Sequence, residues 1–90
     1  MSLYTFIMDY RGGTYISQVK ANSLPIAKKK WIDKLDHKEI KHFGLKTKQE
    51  LADDLKTDNS VLIQKLKNIW FSCFSVKGGF IIVHIIKTER

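Results

Sequence analysis

Cys73 and His84 are the pair of residues in this sequence best suited to chemistry. A thiolate beside an imidazole is a nucleophile with its general base. If Gly78-Gly79 is a two-residue hairpin loop, Cys73 faces His84 across it. A working dyad also needs an oxyanion hole, an orienting third group and a cleft, and no motif in the chain supplies them. A lone cysteine more commonly serves as a small hydrophobe, and His84 is set among isoleucines. The expectation is therefore a non-catalytic protein, with no catalytic residue and no cofactor.

Other polar clusters lead to the same reading. His37 and His42 are five residues apart, about 500° around a helix, so they do not share a face as the i, i+4 ligands of a helical zinc site do. Asp53, Asp54 and Asp58 have no calcium-loop pattern around them and read as solvent-facing residues. There is neither a G-x-x-x-x-G-K nor a G-x-G-x-x-G string to cradle phosphate. No metal site is expected.

The remaining chemistry is charge. Sixteen Lys+Arg against nine Asp+Glu give a net charge of +7 over 90 residues. Nine lysines between Lys20 and Lys48, against Asp33, Asp36 and Glu39, concentrate +6 in that third of the chain. Lys28, Lys29, Lys30, Lys34, Lys38, Lys41, Lys46 and Lys48, joined by Arg11 and Lys77 at two turns, form a candidate nucleic-acid contact surface. Only Arg11 and Arg90 are arginines, whereas phosphate and base recognition favours the planar guanidinium fork. Abundant Lys and Ile with scarce Ala, Gly, Pro and Arg is also what A/T-rich codon usage produces. The aromatic residues fit a core face and form no stacking platform for single strands, so nucleic-acid binding is the alternative reading.

These residues need elements to hold them. A composition 43% hydrophobic, 11% aromatic and 28% charged is that of one ordinary folded domain, residues 1–90. No apolar stretch approaches the ~20 residues of a membrane-spanning helix, and the start of the chain lacks the pattern of a signal peptide. The single cysteine allows no intramolecular disulfide and no one-chain Cys₂ zinc site. A reducing cytoplasm is the expected location.

Leu3–Tyr10 and Thr14–Val19 read as strands around Arg11-Gly12-Gly13, and Trp70–Val76 and Phe80–Ile86 as strands around Lys77-Gly78-Gly79. Taking each Gly-Gly as the loop pairs Tyr10 with Tyr15, and Val76 with Ile81. Between the hairpins, Asn22 or Ser23 caps a helix with Pro25 in its first turn and an Ala27, Trp31, Leu35 stripe. A second helix is expected to open on the capping box Thr47-Lys48-Gln49-Glu50 and to bury Leu51, Ala52 and Leu55. Asp36–Lys46 reads as a connector broken at Gly44. Lys56–Lys67 reads as another, in which Val61-Leu62-Ile63 has strand character.

The strand beginning Tyr4-Thr5-Phe6-Ile7, the Gly12-Gly13 turn, the Thr14–Val19 strand and the following helix resemble the start of HicB-like antitoxin domains. The resemblance covers about the first third of the chain. It departs from that pattern in lacking a third strand and a Gly-Asp-Thr entry before the helix. It implies an antitoxin-like regulatory protein, in keeping with the nucleic-acid alternative.

The expected architecture is α+β, in the order β-β-α-α-β-β: two β-hairpins make a four-stranded antiparallel sheet, with two helices packed on one face. The expected core is Phe6, Met8, Tyr10, Trp70, Phe74, Val76, Ile81, Val83 and Ile85. Two helices cover one side only. The other side then presents Ile7, Ile16, Phe71, Cys73, Ile82, His84 and Ile86, an apolar patch unusual for a lone soluble domain. The leading expectation is a small interaction domain that forms a homodimer, or binds a small protein partner, through this face.

Overall fold

The first hairpin turns on Arg11 and Gly12, not on its glycine pair. The computed structural model describes residues 1–36, 38, 40, 43–56, 61–62, 68–76 and 79–88. Strand β1 (Ser2–Tyr10) pairs antiparallel with β2 (Gly13–Ala21), and Tyr10 stands opposite Gly13. Arg11 and Gly12 make the turn at φ 49° and 82°, the two positive values a type I′ hairpin turn requires.

The second hairpin repeats this spacing. Its strands, Ile69–Val76 and Gly79–Thr88, close with Val76 opposite Gly79. Lys77 and Gly78 lie outside the described residues. Both registers thus differ by two residues from the expected Tyr10–Tyr15 and Val76–Ile81 pairings. Side chains alternate with period two, so this shift changes every cross-strand neighbour and leaves every residue on its expected face.

The two-residue strand β3 (Val61–Leu62) precedes β4 (Ile69–Val76) and β5 (Gly79–Thr88), and the sheet order is β2-β1-β5-β4-β3. Four long strands form the expected antiparallel sheet, with β3 as a short addition beside β4. The first and last long strands pair centrally, from Leu3–Thr88 to Tyr10–Ile81, so β2 forms one edge and β4, flanked by the short β3, lies toward the other. The chain leaves at the β2 edge and rejoins at the opposite one. Its helices cross beneath the sheet between those edges, and this places both on one face.

Helix α1 (Leu24–Lys34) starts after Ser23, whose extended backbone (φ −151°, ψ 162°) holds the N-cap position without a side-chain capping bond. The Ala27 N–H donates to the Ser23 carbonyl at 3.0 Å. Ala27, Trp31, Ile32 and Leu35 are buried, and the Trp31 ring stacks on Phe6 at 4.8 Å and 5°. Helix α2 (Leu45–Lys56) begins two residues before the expected Thr47. The Lys48 N–H donates to the Gly44 carbonyl, so Gly44 starts the helix and Thr47 lies buried within its first turn.

The core holds all nine expected residues, eight buried and Trp70 packed against them at its margin. It also holds Ile40 and Phe43 from the expected connector, with Phe43 edge-on to Tyr10 at 5.6 Å. No described helix is long and apolar enough to cross a membrane.

Candidate functional site

The residues facing away from the helices form a grid set by the strand registers. Its middle row runs Ile16, Ile7, His84, Phe71 across β2, β1, β5 and β4. One flanking row is Gln18, Thr5, Ile86, Ile69, and the other is Thr14, Asp9, Ile82, Cys73. All seven expected interface residues therefore lie on one face, four filling the middle row, Ile82 and Cys73 in one flanking row and Ile86 in the other. Ile16 is 66% exposed, Phe71 37% and Phe80, farther along the same face, 68%. Ile7, Ile82, His84 and Ile86 are half-buried by their neighbours within the sheet. Among the described residues, no helix covers this face. The apolar character of both sides of the second hairpin is thus matched by a covering layer on one side only.

The face divides into two halves. The β4–β5 half is apolar through its middle, with Ile69, Phe71, Cys73, Phe80, Ile82 and Ile86 around His84, and carries Ser75 and Thr88 only at its two ends. The β1–β2 half carries polar side chains that satisfy one another across strands. The Thr14 hydroxyl donates to the Asp9 carboxylate at 2.7 Å, and the Gln18 amide donates to the Thr5 hydroxyl at 3.0 Å. Asp9 and, at the margin, Lys20 are the only Asp, Glu, Lys or Arg side chains on this face of the four long strands. In a chain with 28% charged residues and a net charge of +7, that is marked charge depletion. Leu3, Thr5, Asp9, Gln18, Ile69 and Phe80 belong to the face and were absent from the expected set. The same alternation that identified the others extends to them.

The expected Cys73–His84 pairing is not formed. Cys73 stands opposite Ile82, and His84 opposite Phe71, whose ring centroid is 5.4 Å away. Cys73 and His84 are diagonal neighbours, typically 7–8 Å apart. The Cys73 thiol is exposed. Among the described residues, no three His, Cys, Asp or Glu side chains converge on a possible metal position; His37, His42 and Asp58 lie outside those residues.

The lysines do not form one free surface. Lys30 and Lys34 of α1 donate to the carbonyls of Lys20 and Gln18 at 2.8 and 3.0 Å, capping the outer edge of β2. Lys48 donates to the Leu35 carbonyl at 2.8 Å. Lys28 is buried, contrary to its expected place on a contact surface. Lys29, Lys38, Lys46 and the turn residue Arg11 are exposed, and Lys41 and Lys77 lie outside the described residues. Beyond the capped stretch, the β2 edge borders a groove of about 320 Å³ lined by Tyr15, Ile16, Lys34, Leu35 and Ile40 among others.

Comparison of the chain with protein-family models, curated proteins and solved structures returned no match. The resemblance of the first third to HicB-like domains therefore rests on its strand–turn–strand–helix string alone.

Proposed function

We propose that this protein is a small non-catalytic interaction domain that forms a homodimer through the open face of its sheet. The observation that carries the reading is the charge-depleted, isoleucine-rich face on an otherwise strongly cationic chain. Charge depletion with aromatic enrichment distinguishes the centre of a protein interface from ordinary surface. The mutual hydrogen bonds of Thr14 with Asp9 and Gln18 with Thr5 reduce the polar demand that burial would leave unmet.

The available area suits a second copy. Each outward side chain occupies a tile of roughly 4.8 by 6.8 Å, so the face of four long strands spans about 550 Å². Two copies together bury about 1,100 Å², just above the ~1,000 Å² that separates specific interfaces from chance contacts. Two +7 chains can approach this way because the exposed lysines of the helical layer are turned from the contact. A reducing compartment such as the cytoplasm fits the exposed, single thiol.

Sedimentation equilibrium at tens of micromolar tests the proposal. The expected mass is twice the 10.5 kDa of the chain; a monomer throughout that range overturns it.

A further inference from the structure

We propose that the two copies are related by a two-fold axis running along the Ile16–Ile7–His84–Phe71 row, so that His84 meets its own copy and its protonation releases the dimer. The inference rests on the open face joining two copies.

Two sheets stacked face to face and related by a two-fold have that axis in the plane between them. An axis along the strands would set the apolar β4–β5 half of one copy on the Thr- and Gln-bearing half of the other. An axis across the strands sets apolar half on apolar half, and keeps the internally bonded polar pairs together. The hydrophobic term therefore selects the second orientation. The Ile16–Ile7–His84–Phe71 row is the middle row of the face, with the Ile86 row on one side and the Ile82 row on the other. An axis along it gives the fullest overlap. The usual angle of about 30° between packed sheets displaces the ends of the row more than its centre, where Ile7 and His84 lie.

The surroundings of His84 then fix the direction of the pH effect. It is flanked by Ile7 on β1 and Phe71 on β4, and by Ile82 and Ile86 along its own strand. At the diagonals are Thr5 and Asp9 on β1, and Ile69 and Cys73 on β4. Asp9 is the one carboxylate among these neighbours, and it already accepts the Thr14 hydroxyl. The axis also sets Asp9 of the partner subunit over Thr5, at a further diagonal of His84 and bonded like the first to its own Thr14 hydroxyl. Neither carboxylate stands directly opposite the imidazole, whereas a second imidazolium does. An imidazolium enclosed here therefore loses water and meets a like charge at its nearest position. The dimer therefore selects neutral imidazole. It is at full strength above the imidazole range and weakens as pH falls through it.

Imidazole takes up its proton near pH 6.5 in water. Excluding the proton from both copies makes the dissociation constant rise about 100-fold between pH 7.5 and 5.5. Sedimentation equilibrium of the full chain at these two pH values is the test, with His84→Gln as the non-titrating variant and His84→Phe as a second. The expected result is the 100-fold rise in the unaltered chain and less than about threefold in a folded variant that still associates. A dimer with equal affinity at both pH values overturns the proposal, as does a variant that keeps the full pH dependence. Absence of a dimer at pH 7.5 overturns the self-association reading and this inference with it. The axis has its own readout. At pH 7.5 a short bismaleimide is expected to link Ile7→Cys in a Cys73→Ser background into a covalent dimer, because residue 7 meets its own copy across the ~10 Å between packed sheets, while the unaltered chain with Cys73 is not linked. The reverse outcome overturns the axis.

Discussion

Replacing Ile82 by lysine separates association from folding more sharply than other changes on the open face. Ile82 is half-buried in its own sheet, with Asp9 opposite on one side and Cys73 on the other. In the separate protomer, a lysine here gains a carboxylate as cross-strand partner, a pairing worth about 0.2–1 kcal/mol. Folding stability should therefore change by less than about 0.5–1 kcal/mol. In the dimer the same change removes the remaining burial of an isoleucine, about 1 kcal/mol of the 1.5–3 available to the whole side chain. The loss occurs in both copies, and about 2 kcal/mol corresponds to roughly a 30-fold weaker dissociation constant. Desolvation of two ammonium groups adds to this, so 30-fold is the smallest effect expected. Sedimentation equilibrium gives the constant, and urea unfolding below the dissociation constant reports the protomer. An Ile82→Lys protein that folds normally and still associates with unchanged affinity would refute the reasoning.

Three further outcomes test the fold that builds the face. Trp31→Ala removes a buried ring stacked on Phe6 and should cost about 3–5 kcal/mol in urea unfolding; a loss below 1 kcal/mol would mean that α1 does not anchor the sheet. Gly12→Ala forces a side chain into φ 82° and should cost about 1–2 kcal/mol, with no effect on the association constant measured on folded protein. The double change Lys30→Ala, Lys34→Ala uncaps the β2 carbonyls of Lys20 and Gln18. Stability should fall by less than about 1 kcal/mol per bond, while light scattering detects faster aggregation from the bared strand edge; unchanged aggregation would show that the edge is protected by something else.

Much of this architecture is legible in the sequence because side-chain alternation survives errors of register. The glycine pairs mark both turns, yet counting them as the loop shifts each strand pair by two residues. The shift is harmless for the face assignments and fatal for the supposed Cys73–His84 pair, which depends on neighbours. Arg11 in a left-handed conformation is the reason: Arg is a rarer first turn residue than Asn or Gly, so its role is hard to read from type alone.

The second helix shows the opposite failure. Thr47-Lys48-Gln49-Glu50 matches a capping box, but Gly44 starts the helix and Thr47 is buried within its first turn. Tertiary burial outweighs a local cap worth about 1 kcal/mol. The lysine cluster misled in a similar way. Composition places the charge in one third of the chain, but only the fold shows Lys30, Lys34 and Lys48 spent on backbone carbonyls.

The central claim is that the isoleucine face joins two copies of this chain. Isotope-filtered nuclear Overhauser measurements on a mixture of labelled and unlabelled protein at pH 7.5 test it most directly. The expected result is contact between copies among the methyl groups of Ile7, Ile69, Ile82 and Ile86, together with the Phe71 ring. Contacts between copies confined to the helices or the β2 edge, or no such contacts at concentrations of hundreds of micromolar, would contradict the claim.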